Sequence, residues 1–244
     1  MMSASNGSWF TDWFDSPYYH ILYQDRDKQE AEFFMDRLAM HLQMDQNDQI
    51  LDLPCGKGRH AIYLNRKGFD VTGADLSENS IREASAAAND RLRFIVHDMR
   101  EPLVTGPFDY ILNLFTSFGY FNEEENQKVL CNLKKGLKPG GMLVIDFMNT
   151  TRVLDMLVEH EVKSIEGIDF RIRRFVREGI IVKEICFEDN GQPYFFEEQV
   201  RALRQEDFER YFNRAELSVE AMFGNYDLLP YDCTTSERMI FILQ

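Results

Sequence analysis

Two glycines and a set of acids mark the places where this chain can do chemistry. Cys55-Gly56-Lys57-Gly58 interrupts a short apolar run, Ile50 to Leu53, and its glycines permit backbone angles that other residues resist. Beyond it, Ala61, Ile62 and Leu64 fall at helical spacing, and Gly68 stands as a helix stop. Phe69 to Ala74 reads as a second strand with Asp75 at its tip. Strand, glycine loop, helix and parallel strand form a unit whose ligand lies beyond the carboxyl ends of the strands. A ligand can approach the glycines closely there, and Asp75 can hold a ribose. The unit reads as a nucleoside-binding half. Gly56-x-Gly58-x-x-Ala61 with Asp75 also fits the dinucleotide pattern, although a glycine pattern this short recurs by chance.

Further along, Asp98 closes a third strand, where an acid can accept from an adenine amino group while Met99 covers the base. Alone, an aspartate there reads as a loop cap; acids following three strands of one sheet favour the ligand. Asp52 lies within the first strand and is read as orienting the glycine loop. Asn113 to Tyr120, NLFTSFGY, ends a fourth strand and brings Phe115 and Phe118 near the crevice, with core packing as the competing reading. His20, His60, His97 and His160 are the candidate bases, and none is assigned.

The elements that must position these residues alternate. An amphipathic helix spans Gln29 to Leu42, with Ala31, Phe33, Phe34, Leu38, Ala39 and Leu42 as its apolar face. Ser77 caps a helix to about Ala88; Leu92 to Val96 and Phe108 to Leu114 are strands; Asn122 to Lys138 is a helix ended by Lys138-Pro139-Gly140-Gly141. Met142 to Phe147 is a fifth buried strand. Such alternation predicts an α/β fold with an open parallel sheet. After a short helix, Thr150 to Val158, the period changes to two between His160 and Arg204, with hairpin turns at Gly179 and Asp189-Asn190-Gly191. This predicts an inserted antiparallel β-sheet. A helix from Gln205 to Arg214 follows, and Leu217–Phe223 with Arg238–Leu243 can close a hairpin on the edge of the parallel sheet. The leading arm carries Trp9, Phe10, Trp13 and Phe14, too many aromatics for a disordered segment.

Composition narrows the function classes. A chain of 244 residues with 44% hydrophobic content can bury a substantial core. A net charge of −14 argues against a nucleic-acid surface, and Arg171, Arg173, Arg174 and Arg177 read as a solvated strand face. No apolar run reaches the ~20 residues that cross a membrane, and the N-terminus lacks the charge and apolar core of a secretory signal. Cys55, Cys131, Cys186 and Cys233 show no ligand spacing. They read as reduced thiols of a cytoplasmic protein without a metal site.

Taken in order, DLPCGKGRHA, VTGADLS, HDMR, FDYILNLFTSFGYF and LKPGGMLVIDF, over residues 49 to 147, resemble the successive motifs of class I S-adenosylmethionine-dependent methyltransferases. D-x-x-C-G-x-G, from Asp52, resembles their first motif, with Pro54-Cys55 where a glycine often stands. The resemblance implies a Rossmann-like, seven-stranded, mainly parallel sheet whose last strand inserts antiparallel between the fifth and sixth. It implies S-adenosyl-L-methionine as cofactor, with Gly56 and Gly58 against the methionyl part, Asp75 on the ribose, and Asp98 with Met99 at the adenine. Pro54, Cys55, Leu76, Asn113, Phe115 and Phe118 complete the expected cofactor contacts. Tyr23-x-x-Arg26 is similar in position to the arm that closes on the methionyl carboxylate in glycine-type N-methyltransferases, since an arginine fork suits a carboxylate. Tyr18, Tyr19 and His20 are expected to line the pocket of a small-molecule N or O acceptor. The expected organisation is a capping arm and helix over 1–47, a core over 48–158 and 205–244, and an insertion over 159–204 that serves as substrate lid or homodimer surface. An NAD-type oxidoreductase and a non-catalytic S-adenosylmethionine-binding protein are the alternatives.

Overall fold

Short apolar strands and amphipathic helices alternate through most of the chain, as their hydrophobic periods dictate. The computed structural model describes residues 9–24 and 28–244. Its helices are α1 (Trp9–Phe14), α2 (Pro17–Leu22), α3 (Lys28–His41), α4 (Arg59–Arg66), α5 (Glu78–Ala84), α6 (Glu123–Lys135), α7 (Thr150–Asp155) and α8 (Gln205–Arg214). Its strands are β1 (Gln49–Asp52), β2 (Asp70–Asp75), β3 (Leu92–Val96), β4 (Phe108–Asn113), β5 (Leu137–Met148), β6 (His160–Ile165), β7 (Ile168–Arg177), β8 (Ile180–Asp189), β9 (Gln192–Arg201), β10 (Val219–Phe223) and β11 (Arg238–Leu243).

Two compact units result. In the first, residues 28–153 and 203–244, a seven-stranded sheet runs in the order β10-β11-β5-β4-β1-β2-β3. Strands β1 to β5 pair in parallel, and β11 lies antiparallel to both β5 and β10. Strands buried on both faces supply the centre: Ile50, Leu51, Val71, Ile111, Leu112, Val144 and Ile145 are all 0% exposed. Phe34, Met35 and Leu38 of α3 join the same core, while Phe33 turns outward under Arg37. A capping box starts α6, where Asn122 Oδ1 accepts from Glu125 N and Asn122 N donates to Glu125 Oε2. The Lys138-Pro139-Gly140-Gly141 stretch, expected to end that helix, instead lies in the irregular start of β5, where the register with β4 shifts, and α6 ends at Lys135. A Cβ at Gly141 would lie 2.9 Å from Phe108 O, so only glycine lets the two backbones come so close.

The second unit, residues 9–24 with 154–202, is built on a four-stranded antiparallel sheet, β6-β7-β8-β9. Its hairpin turns Glu166-Gly167, Glu178-Gly179 and Asn190-Gly191 carry positive φ at both residues. That is the type I′ geometry which matches strand twist. The aromatic arm packs here: Trp13 and Leu22 join Phe170, Ile172, Ile185 and Phe187 in one cluster. Arg173, Arg174 and Arg177 pair with Glu184, Glu161 and Glu197 along the strands.

Candidate functional site

β1 does not stop sharply at Asp52. Leu53 N donates to Leu112 O and Cys55 N to Ala74 O, both at 2.9 Å, so the chain stays between its neighbours before it turns. Gly56 and Gly58 then adopt φ of +54° and +79°. Their reasons differ. Among the described residues a Cβ at Gly56 would meet nothing within 4 Å, which suits close approach of a ligand, whereas at Gly58 it would lie 2.7 Å from the Phe94 ring. Gly58 therefore lets α4 settle against β3, and Gly73, where a Cβ would lie 2.6 Å from the same ring, serves the same packing.

Asp75 holds the loop. Its Oδ2 accepts from Gly56 N at 2.8 Å and its Oδ1 from Ser77 N at 2.9 Å. A carboxylate has about four lone-pair sites, so it can accept more. Leu76, beside it, leaves 36% of its surface in solvent. Asp52 is wholly buried, and neither carboxylate oxygen has a hydrogen-bond partner among the described residues. Burial pushes its pKa up to about 7; the Ala61 backbone amide and Arg59 oppose the rise, while Asp75 adds to it.

Two residues past β3, the Asp98 carboxylate is clasped by Arg100, whose Nε lies 3.1 Å from both oxygens and whose Nη2 donates at 2.7 Å. Arg100 also donates to Glu125 at 3.0 Å and lies 4.7 Å over the Phe121 ring. Burial raises the Asp98 pKa, but the hydrogen bonds and charge of Arg100 outweigh it and hold the carboxyl below its ordinary value. Met99 is 8% exposed, its carbonyl accepting from Asn132.

Where β4 ends, buried Asn113 donates to Leu53 O at 2.8 Å and so ties the strand tip to the glycine loop. Phe115 and Thr116 take φ of +62° and +59°. Arg59, the first residue of α4, sits 5.2 Å over the Phe115 ring. Phe118 is a core ring instead, 1% exposed and packed on Phe208 and Tyr211. The structure thus gathers Pro54, Cys55, Gly56, Gly58, Asp75, Leu76, Asp98, Met99, Asn113 and Phe115 along the carboxyl ends of four adjacent strands, β3-β2-β1-β4.

The remaining expected site residues belong to the antiparallel unit, except Arg26, which lies outside the described residues. Tyr18 donates to Asp189 Oδ2 at 2.9 Å and packs on Phe187 and Tyr194. Tyr19 meets Trp13, Phe14 and His20 edge-on. Tyr23 OH lies 2.6 and 2.8 Å from the two oxygens of Glu198, which also accepts from Trp13 Nε1 at 2.6 Å. Lys183 donates to the same hydroxyl, and burial lowers its pKa against the pull of Glu198.

Sequence reading did not single out Arg100, Arg59, Asp146 or Arg238. Arg100 had a signal, the Asp-x-Arg spacing of HDMR. Asp146 had another, an acid inside the apolar run LVIDF. For Arg238, 92 residues from the acid it pairs with, no local signal exists.

Residues 50–141 match the protein family described as "Methyltransferase domain". A glycine/sarcosine N-methyltransferase of Halorhodospira halochloris is 33% identical over 141 residues, which are 55% of this chain and 51% of that protein. The chain spans about half the length of the glycine/sarcosine relatives it matches. Among solved structures, an S-adenosylmethionine-dependent methyltransferase from Clostridium acetobutylicum ATCC 824 superposes with a TM-score of 0.79 at 19% identity, over 93% of this chain and 95% of that one. The sugar N-methyltransferase KedS8 from Streptoalloteichus sp ATCC 53650 gives 0.71 at 19% identity, over 99% and 98%. At these identities the two superpositions show a common fold.

Proposed function

We propose that this chain, whose residues 50–141 match a methyltransferase domain, is a class I S-adenosylmethionine-dependent methyltransferase that transfers the methyl group to a nitrogen or oxygen of a small molecule. One observation carries the reading. Asp75 and Asp98 stand at the carboxyl ends of the neighbouring strands β2 and β3, beside a glycine loop where no described residue crowds Gly56. That set of groups fits a nucleoside joined to an amino-acid tail: acceptors for ribose hydroxyls and an adenine amino group, then a loop that tolerates close approach. When bound, the sulfonium supplies an already activated methyl group, so placing the acceptor in line provides most of the acceleration.

The chain's own residues then have the following tasks in this reading. Asp75, fixed by two backbone N–H groups, accepts from the ribose; exposed Leu76 offers an apolar surface beside it. Asp98, kept ionised by Arg100, accepts from the adenine amino group. The Pro54 to Gly58 loop and Phe115 face the methionyl end, and Tyr23 with Arg26 is assigned to its carboxylate. Acceptor selection is assigned to the antiparallel unit, with Tyr18, Tyr19 and His20 as the first residues to vary. The names of the relatives make amines, amino acids and amino sugars the first acceptors to try.

Calorimetric titration with S-adenosylhomocysteine and, in parallel, with NAD tests the cofactor. Binding of the first and not the second is expected; the reverse result refutes the reading in favour of an oxidoreductase. Transfer of a labelled methyl group to members of an amine and alcohol panel tests the activity. Cofactor binding with no acceptor methylated would leave a binding protein instead.

A further inference from the structure

A buried charged network lies at the far side of the crevice from the nucleoside acids. Asp146, 1% exposed, belongs to β5 and accepts from Arg238 Nε at 2.7 Å. Its other oxygen accepts from Phe115 N at 2.8 Å and Tyr226 OH at 3.1 Å. Its backbone carbonyl accepts from Thr116 N at 2.9 Å. Arg238 Nη2 donates to Thr116 Oγ1 at 3.1 Å, and the same hydroxyl accepts from Met148 N at 3.0 Å. The guanidinium of Arg238 lies 5.7 Å from the rings of both Phe115 and Tyr226.

Four of these six bonds engage two residues with left-handed backbone, Phe115 and Thr116, and the other two, from Arg238 and Tyr226, hold the Asp146 carboxylate that serves them. Side chains with a Cβ resist that conformation, and β-branched threonine resists it most. Such strain persists where the surroundings over-determine it, and it gathers at sites where geometry matters. A buried arginine–aspartate pair is a poor way to gain stability alone, because desolvation offsets the attraction. Here Asp146 Oδ2 and Arg238 Nη2, beyond the pair itself, each bond the strained turn.

The position of the turn says what it serves. The strand order β3-β2-β1-β4-β5 puts Asp98 and Asp75 on one side of the glycine loop and Phe115 on the other. A cofactor whose adenosine lies over β3 and β2 extends its remaining part across β1 toward β4. We propose that Asp146 and Arg238 are positioning residues that lock the Phe115–Thr116 turn, and through it the Phe115 ring under Arg59, at the methionyl end of the cofactor site. The proposal rests on the S-adenosylmethionine reading above.

The test compares two ligands on the full chain: S-adenosylhomocysteine, and 5′-methylthioadenosine, which lacks the amino-acid end. Arg238→Met is expected to weaken the first by roughly tenfold or more, the loss of a charged hydrogen-bonding group, and to leave the second within about twofold. Arg238→Lys, which keeps the charge but not the fork, should recover part of the loss. Equal losses for both ligands in folded protein would mean a merely structural role and overturn the proposal, as would no loss for either. If Arg238→Met does not fold, Tyr226→Phe removes a single bond to Asp146 and is read the same way, with a selective loss of about threefold expected. Wild-type protein that binds neither ligand refutes the cofactor reading itself, an outcome distinct from unselective variants of a binding protein.

Discussion

Asp75 offers the sharpest test of the cofactor site, because the structure gives it two separable tasks. Its oxygens anchor the glycine loop through Gly56 N at 2.8 Å and Ser77 N at 2.9 Å, and in the proposed complex they accept from the ribose. Asp75→Ala removes both. Each ribose hydroxyl bonded to a carboxylate contributes about 1.5–3 kcal/mol, so loss of one weakens binding roughly ten- to hundredfold and loss of both weakens it further. Release of the two backbone N–H groups also lowers the stability of the unliganded protein, by about 1–3 kcal/mol if water does not replace them. That leaves a folded chain, since domains of ordinary stability have about 5–15 kcal/mol to lose. Asp75→Asn keeps one acceptor but turns an amide NH2 toward one of the two N–H donors, so it should fall between. A ligand cycle separates the tasks: calorimetric titration of wild type and Asp75→Ala with S-adenosylhomocysteine and with its 2′-deoxy analogue. Wild type should discriminate between the two ligands, and the variant should not. Discrimination surviving intact in a folded Asp75→Ala protein would falsify the ribose assignment, and no loop effect could imitate that result.

Three other outcomes follow from particular contacts. Gly58→Ala should destabilise the protein by about 2–4 kcal/mol, adding overpacking against Phe94 to the cost of a left-handed alanine, while Gly56→Ala pays only about 1–2 kcal/mol for its backbone; equal melting temperatures for the two variants would contradict the packing reason for Gly58. Asp52, raised by burial to about 7, binds its proton more tightly folded than unfolded, so its contribution to stability is full below about pH 4 and is lost as pH rises through about 7. Asp52→Asn should therefore gain on wild type by about 2–3 kcal/mol between pH 5 and pH 8 in denaturant melts; a gap independent of pH would show that the aspartate is not buried unpaired. Trp13→Ala, deleting a fully buried ring, should cost about 3–5 kcal/mol, and Trp13→Phe only about 1–2 kcal/mol for the bond to Glu198; pulse proteolysis of the arm reads both, and an arm equally protected in all three proteins would refute its packing on the antiparallel sheet.

Much of this protein is legible without its structure, and for a local reason. Strand periods, the Gly56-x-Gly58 loop, Ser77 ahead of α5 and the acids at strand tips are all short-range features. A βα unit places its loop residues by connectivity alone, so Asp75 and Asp98 could be assigned to one edge before any coordinates. The Asn190-Gly191 and Gly179 turns likewise announced an antiparallel sheet, because few residues accept positive φ. What only the tertiary structure decided depends on contacts between distant parts of the chain. The aromatics of the arm required an apolar partner, but nothing in their spacing said that it would be Phe170, Ile185 and Phe187 of the inserted sheet. The two glycines of the loop look alike in sequence, and only the Phe94 ring, brought over from β3, separates a glycine that packs from one that leaves room. Phe115 and Phe118 stand three apart in one motif, yet one is held at the crevice by Asp146 and the other is buried against α8. Arg238 meets Asp146 because β11 lies antiparallel beside β5. Such pairing is set by the order in which strands assemble, which no window of sequence contains.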